Sequence, residues 1–212
     1  MSEKTKDIIS WIICIVIAVA LAIIIRYFVG TQTIVKQQSM WPTLQPNERL
    51  ILNRWFRTTN QMPERGDIIT FQAPSKINVT KEDANLLNPV ARYDNDPTGT
   101  FSKFAFYVLE IGKDSFIKRV IGLPGDHIQI LEGRVYVNNA LLKESYLKPD
   151  VKTEGDYPFM ELDVPEGTVF VMGDNRPSST DSRAFGCIPI EKIEGKVIYR
   201  IWPFSAWGKI EK

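Results

Sequence analysis

Histidine and cysteine are scarce in this sequence. Its 212 residues include one histidine, His127, and two cysteines. These are too few for a zinc cluster or a disulfide framework, so we expect no metal and no cofactor. Cys14 lies in an apolar run and Cys187 in a distant polar region, so we expect both thiols to be free. Counting does not exclude a Cys187–His127 nucleophile pair, but nothing in the local sequence supports one.

An excess of charge of either sign is also missing. The chain has 26 Lys+Arg and 25 Asp+Glu, which gives a net charge of +1. A balanced chain has no field that would attract nucleic acid, so we expect no nucleic-acid partner. Apolar residues make up 44% and charged residues 24%, proportions that argue against disorder. The length allows one domain or two small ones.

One long apolar run lies near the N-terminus, where Ile8 to Ile25 includes no charged residue. At a rise of 1.5 Å per residue, the run spans about 27 Å, close to the thickness of a bilayer's hydrocarbon core. A cleaved signal peptide would end in small residues, whereas this run ends in Arg26, Tyr27 and Phe28. We predict a transmembrane helix at 8–29, with a buried helix of a soluble domain as the alternative.

The chain on either side of this run predicts a short tail at 1–7 and one water-soluble domain at 30–212. No second apolar run of spanning length follows in the sequence, so the domain is expected to be tethered to a membrane surface, with lipid as a partner. Charge does not decide the topology, because two basic residues flank each end of the run.

The domain's sequence is dominated by two-residue alternation of apolar and polar residues, which is typical of short β-strands. We predict a mainly β fold, partly closed or sandwiched. The candidate strands are Asp67 to Phe71, Phe116 to Ile121, a hairpin over Ile128 to Val137 that turns at Glu132-Gly133, Thr168 to Met172, and Lys196 to Trp202.

A segment at 72–115 breaks this alternation. It is polar at first, rich in turn residues in the middle and aromatic at its end. Because it is too long for a plain loop, we predict an inserted subdomain or flap. Its aromatic residues most simply fill a small satellite core, and a surface that enters lipid or binds substrate is the alternative. They are Phe101, Phe104, Phe106 and Tyr107.

Two side chains are candidates for chemistry. Ser39 precedes Pro42, which favours a turn that presents the hydroxyl. Lys118 shares a strand face with Phe116 and Val120, so we expect burial to lower its pKa, and a neutral amine is a usable general base. Considered separately, each has a simpler interpretation, as a turn serine and as a lysine that reaches solvent.

The segment 173–183 combines two acids, two arginines and three serines directly after a predicted strand. Its composition is typical of a turn with local hydrogen bonds. Each arginine lies two residues from an acid, which makes ion pairs inside the segment plausible. Such a loop could also make a neighbouring site rigid. We expect Asp67 and Asp126 to close turns, and His127 to be an exposed strand residue.

Together these segments resemble type I signal peptidases, the bacterial leader peptidases of peptidase family S26, which remove signal peptides from exported preproteins with a serine–lysine dyad. Order and approximate spacing match, and the plan covers nearly the whole chain. The matching pieces are the N-terminal span, SMWPTL at 39–44, GDIITF at 66–71, KRVIGLPGD at 118–126 and GDNRPSSTDSR at 173–183.

The resemblance implies a role for each matching residue. Ser39 would be the nucleophile and Lys118 the general base, and Ser179 would orient the amine of Lys118. Asp181 and Arg183 would form a supporting ion pair. The structural residues beside them would be Asp174 and Arg176.

The resemblance also implies an oxyanion hole and a substrate groove. The Ser39 amide would supply one oxyanion donor. Family members usually carry Ser, Thr or Gly two residues before the nucleophile, whereas this chain has Gln37, so either its amide or a backbone N–H would be the second donor. Met40 would shape the small substrate pockets, and Val35 and Lys36 would flank an extended substrate.

A single N-terminal span with the domain outside resembles the Gram-positive form of the family. This implies a monomeric, single-pass protein of the plasma membrane, with a cytoplasmic tail and preproteins as partners. One alternative is a catalytically inactive relative that acts in assembly, although both dyad residues are present. The others are a self-cleaving serine–lysine peptidase, a type that lacks a membrane span, and an anchored binding module.

Overall fold

The computed structural model describes residues 3–59, 61–94 and 96–210. Its first element is a long helix, α1 (Glu3–Ile24), which continues as a π-helical turn over Ile25–Val29. The most apolar window of this helix has a mean hydropathy of 3.3, and none of α1 is buried against the rest of the chain. The helix is therefore long and apolar enough to cross a membrane, and it contains the predicted span at 8–29.

The rest of the chain is built mainly from two antiparallel sheets, which confirms the predicted mainly β fold. The strands of the larger sheet are β1 (Gly30–Ile34), β2 (Arg49–Asn53), β3 (Ile68–Gln72), β4 (Ser115–Gly122), β9 (Thr168–Met172), β10 (Ile188–Pro189), β11 (Ile193–Trp202) and β12 (Gly208–Lys209). Their order is β1-β2-β11-β3-β4-β9-β10, and β12 pairs with β11.

The smaller sheet has the order β7-β6-β5-β8. Its strands are β5 (His127–Leu131), β6 (Arg134–Val137), β7 (Ala140–Leu141) and β8 (Glu161–Asp163). The predicted turn between β5 and β6 is confirmed, because Glu132 and Gly133 both adopt the left-handed conformation, with φ of 51° and 76°, that a two-residue hairpin turn requires.

Short helices lie between the strands. They are α2 (Trp55–Thr58), α3 (Thr100–Tyr107) and α4 (Ser182–Phe185), with 3₁₀ turns at Arg176–Ser178, Ile190–Lys192 and Phe204–Ala206.

Strand β9 lies between two packed layers. All five of its residues are buried. Phe170 and Met172 face a cluster shared with the smaller sheet, whereas Val169 and Val171 face a second cluster on the other side. A strand covered on both faces is continuously apolar, which explains the sequence TVFVM. The C-terminal half of the adjacent strand β4 contributes to the same two clusters, with Ile121 in the first and Val120 in the second.

The segment 72–115 leaves and re-enters the larger sheet at one point. Strands β3 and β4 pair directly, with Gln72 opposite Ser115. The two strands therefore form a hairpin, and the residues between them are its long connection, which we call the excursion. The excursion is attached near its middle, where Val79 N–H donates to the Ala184 carbonyl at 3.0 Å and Ala91 N–H donates to the Cys187 carbonyl at 2.9 Å.

The prediction that the aromatic residues of this segment fill a satellite core is wrong. Helix α3 has no buried residue, and Phe101 and Phe104 are 82% and 44% exposed. Phe106 and Tyr107 are half-buried and pack edge to face. An eight-residue helix covers only one of its faces against the domain, and two of the four rings lie on the other face.

Candidate active site

Ser39 and Lys118 meet in the tertiary structure. Lys118 lies in β4 opposite Ile69 of β3, and its Nζ atom is 2.7 Å from Ser39 Oγ. Both residues are buried, with exposures of 2% for Lys118 and 8% for Ser39. Ser39 lies in the predicted turn, where Trp41 N–H donates to the Gln38 carbonyl at 3.0 Å.

The surroundings of Lys118 favour its neutral form. Burial lowers the pKa of Lys118 to about 8, the Asp181 and Asp174 carboxylates oppose this shift, and the Arg183 guanidinium adds to it. The Phe116 ring lies 5.3 Å from Nζ, which confirms the predicted apolar face. A neutral amine in contact with a hydroxyl can accept its proton.

The segment 173–183 holds the backbone of the serine turn. Asn175 N–H donates to the Ser39 carbonyl at 3.0 Å, and Asn175 Nδ2 donates to the Gln38 carbonyl at 3.1 Å. Gly173 allows this approach, because a Cβ atom there would lie 2.4 Å from the Ser39 carbonyl oxygen and 2.2 Å from Ser179 Oγ. Only glycine fits between the two segments.

The predicted Asp181–Arg183 ion pair is present and fully buried. Arg183 Nε and Nη2 donate to the two carboxylate oxygens at 2.8 and 2.9 Å, and Gly173 N–H donates at 3.0 Å. Burial alone would raise the pKa of Asp181, but the Arg183 guanidinium holds it below its usual value. A charged pair thus lies close to Lys118.

An ion pair between Asp174 and Arg176, which the sequence makes plausible, does not form. Asp174 instead binds the buried Arg119, at 2.9 Å from Nε and 2.7 Å from Nη2. Arg176 reaches out of the segment to Glu144 and to Thr153 Oγ1, the latter at 2.5 Å. The observed partners of Asp174 and Arg176 lie 55 and 32 positions away in the sequence, so local spacing does not indicate them.

Ser179 is buried beside Gly173, but its predicted hydrogen bond to Lys118 is not formed. Its side chain instead lies beside the Asp181 carboxylate and helps to lower the pKa of that group. The orienting role of Ser179 stays a prediction.

A cleft of about 670 Å³ opens beside the two reactive side chains. It is lined by residues of β1, by Val35 to Met40 except Gln38, by Ala73 to Ser75 and by the start of β4. The predicted substrate-binding residues Val35, Lys36 and Met40 all line it. Because β1 and the start of β4 line this cleft, it suits a peptide bound as an added strand.

Both oxyanion candidates, Ser39 and Gln37, line the cleft. Gln37 lines the cleft with an exposed side chain. Among the described residues, none provides a backbone acceptor for the Ser39 amide, so this N–H is available to a ligand. Neither observation selects the second donor.

The remaining candidates have structural positions. Asp67 and Asp126 close turns, accepting from Glu64 N–H at 3.0 Å and from Leu123 N–H at 2.6 Å. Both thiols are free, as expected. Cys187 is fully buried, and burial raises the pKa of its thiol to about 12, which argues against a Cys187 nucleophile.

Residues 8–202 match the protein family described as "Signal peptidase, peptidase S26". This chain belongs to that family. The signal peptidase I of Leptolyngbya laminosa is 34% identical over 194 residues, which cover 92% of this chain and 79% of the relative. Signal peptidase IB of Staphylococcus aureus is 32% identical over an alignment of 214 positions, which covers 94% of this chain and 92% of the relative.

A crystal structure of a signal peptidase I from Enterococcus faecalis is also similar, with 26% identity and a TM-score of 0.39. It aligns with 64% of this chain and with 97% of its own. The assignment rests on the family match and the sequence identities.

Membership makes this signal peptidase a serine peptidase that cleaves signal peptides from preproteins, so the predicted family and enzyme class are confirmed. The relatives include Gram-positive and cyanobacterial enzymes, so they do not distinguish a Gram-positive source. The N-terminal apolar helix fits a membrane-anchored enzyme.

Proposed function

We propose that this signal peptidase uses Ser39 as its nucleophile and Lys118 as its general base. The observation that carries the proposal is the 2.7 Å contact between Nζ and Oγ, made by a buried amine whose pKa is lowered to about 8. The intact dyad in a substrate-sized cleft also argues against the inactive assembly factor.

In each half of the proposed reaction, Lys118 takes up one proton and gives it away again. The neutral amine takes the Ser39 hydroxyl proton while Oγ attacks the scissile carbonyl. The Ser39 amide N–H and a second donor stabilise the oxyanion. The protonated amine then gives its proton to the leaving nitrogen. A water molecule then gives a proton to the neutral amine and attacks the acyl-enzyme. The bond to Oγ breaks, and the amine returns this proton to Ser39.

Membrane anchoring is the second part of the proposal. Helix α1 would cross the bilayer once, leave a short cytoplasmic tail at 1–7 and place the domain at 30–212 outside. Since a signal peptide is itself a membrane-embedded segment, tethering the enzyme raises its effective concentration at the substrate. We expect a monomer to suffice, because Ser39 and Lys118 come from one chain.

The test is cleavage of a preprotein by the purified full-length chain, with the new N-terminus mapped by mass spectrometry. We expect Ser39→Ala and Lys118→Ala each to lower the rate by at least about 10²-fold. Ser205→Ala is the matched control, because Ser205 is exposed and is not among the residues that line the cleft. A near-normal rate for either dyad variant would refute the proposed roles.

A further inference from the structure

Helix α3 is attached to the domain by one face. The rings of Phe106 and Tyr107 lie 5.6 and 5.5 Å from Lys113 Nζ. Lys113 in turn forms a buried ion pair with Glu194 of β11 at 2.7 Å. This arrangement fixes the inner face of α3 to the larger sheet.

The outer face of α3 is apolar and exposed. Phe101 and Phe104 are three residues apart and therefore share a helix face. Ile111, 64% exposed, folds back against the helix, where its N–H donates to the Ala105 carbonyl. Lys103 is exposed on the same helix, whose sequence TFSKFAFY contains no acid. A cationic helix with exposed aromatic rings has the composition of an interfacial helix.

The chain just after α3 is bonded to the end of the apolar helix, the π-helical turn over Ile25–Val29, which we call the helix exit. Glu110, just beyond α3, pairs with Arg26 at 2.7 Å and also with Arg54. Arg54 binds the same exit through its backbone, with its N–H 3.0 Å from the Val29 carbonyl. With eight residues, α3 is about 12 Å long. If α1 spans a membrane, α3 therefore lies within reach of its surface.

A further aromatic side chain adjoins this exit. Trp55 begins α2 directly after Arg54 and is 53% exposed. Tryptophan is enriched at the level of lipid headgroups. The exposed rings of α2 and α3 thus lie on two short helices, and both helices adjoin the same ion-pair network, Arg26–Glu110–Arg54.

We propose that the outer face of α3, formed by Phe101 and Phe104, rests together with the adjoining Ile111 in the boundary between headgroups and acyl chains of the membrane that α1 crosses. Lys103 would contact anionic headgroups. The inference rests on the proposed membrane anchoring. This lipid contact would fix the height of the cleft above the bilayer, because Arg26 and Glu110 belong both to the attachment of α3 and to the lining of the cleft. A signal peptide leaving the bilayer would then enter beside α3.

The test places a fluorescent label at position 101 of the full-length chain, using Phe101→Cys with Cys14→Ser. Cys187 is buried and does not compete for the label. Leu87→Cys is the matched control, since Leu87 is an apolar residue of the same segment and fully exposed. The protein is reconstituted into phosphatidylcholine–phosphatidylglycerol vesicles without any preprotein, and flotation with the vesicles verifies anchoring.

We expect quenching by nitroxide-bearing lipids to be several-fold stronger at position 101 than at 87, and quenching by aqueous iodide to show the reverse. Equal access of iodide to both positions overturns the inference. So does lipid quenching that appears only after a preprotein is added, because that result assigns the surface to substrate. No step requires peptidase activity, so a failed dyad and a failed lipid contact give different results.

A second measurement tests the consequence for catalysis. Phe101→Ser with Phe104→Ser should slow cleavage of a bilayer-embedded preprotein several-fold and leave cleavage of a short soluble peptide unchanged. Equal rates on the embedded preprotein for this variant and the parent would contradict the inference, as would equal losses on both substrates.

Discussion

Lys118 and Arg119 are neighbours in β4, yet their side chains enter two buried networks on opposite faces of the strand. Lys118 contacts Ser39, whereas Arg119 binds Asp174 and stacks 3.9 Å from the Tyr146 ring. Asp174 directly follows Gly173, which packs on the Ser39 carbonyl. One strand therefore positions the amine and also anchors the segment that holds the serine.

The first prediction concerns the pH dependence of the rate. Because the pKa of Lys118 is about 8 and only its neutral form can accept the Ser39 proton, we expect the rate to rise about tenfold per pH unit below this value and to level off above it. The measurement is single-turnover cleavage of a peptide from pH 5 to pH 10. A flat profile would be inconsistent with Lys118 as the base.

The second prediction concerns the stability cost of the buried amine. Below pH 8 the amine is protonated in both the folded and unfolded states, and the cost of burying the cation is fully present. Between pH 8 and the ordinary lysine pKa of 10.5, only the unfolded state keeps the proton, so stability rises with pH. We expect Lys118→Met to increase the free energy of unfolding at pH 7 by up to about 3 kcal/mol.

Denaturant unfolding of Lys118→Met and the parent, at pH 7 and pH 10.5, measures this difference. The advantage of the variant should shrink at the higher pH. A variant that is less stable than the parent at both values would show that the amine is not destabilising.

The third prediction concerns Gly173. In Gly173→Ala, the new methyl group would collide with the Ser39 carbonyl, so the serine turn or the segment 173–183 must shift. We expect a loss of activity of at least about 10²-fold and destabilisation of about 1–3 kcal/mol. Gly208→Ala is the control, because no atom lies within 4 Å of a Cβ there. Equal activities of the two variants would argue against the tight approach.

The fourth prediction compares a buried ion pair with an exposed one. Asp181→Asn leaves the buried Arg183 without its charge partner, so we expect destabilisation of about 3–5 kcal/mol. Asp156→Asn, which removes an exposed pair with Lys81, should change stability by no more than about 1 kcal/mol. Thermal unfolding of both variants gives the comparison, and similar melting temperatures would count against a structural role for Asp181.

Some strands were easier to predict from sequence than others. The five candidate strand regions alternate clearly or are continuously apolar, and all form strands. Strand β1, with the sequence GTQTI, lies at the sheet edge and has no buried residue. Its polar sequence therefore gives no signal, and its pairing with β2 depends on the rest of the sheet.

The pairing of buried charges could not be predicted locally. Arg119 and Asp174 are 55 positions apart, and Arg176 and Glu144 are 32 apart. Each pair forms because two packed layers bring the side chains together, and desolvated charges must find partners wherever the fold places them. For α3, composition indicated aromatic residues but not which of them would face the domain.

The sequence by itself determined the apolar helix, the β-rich domain and the apolar face of Lys118, because periodicity and strand alternation are local properties. Only the tertiary structure decided that this amine meets Ser39, that Asp174 binds Arg119 and that half of the aromatic residues of α3 stay exposed. Those outcomes depend on how the layers pack, and packing joins residues that sequence distance keeps apart.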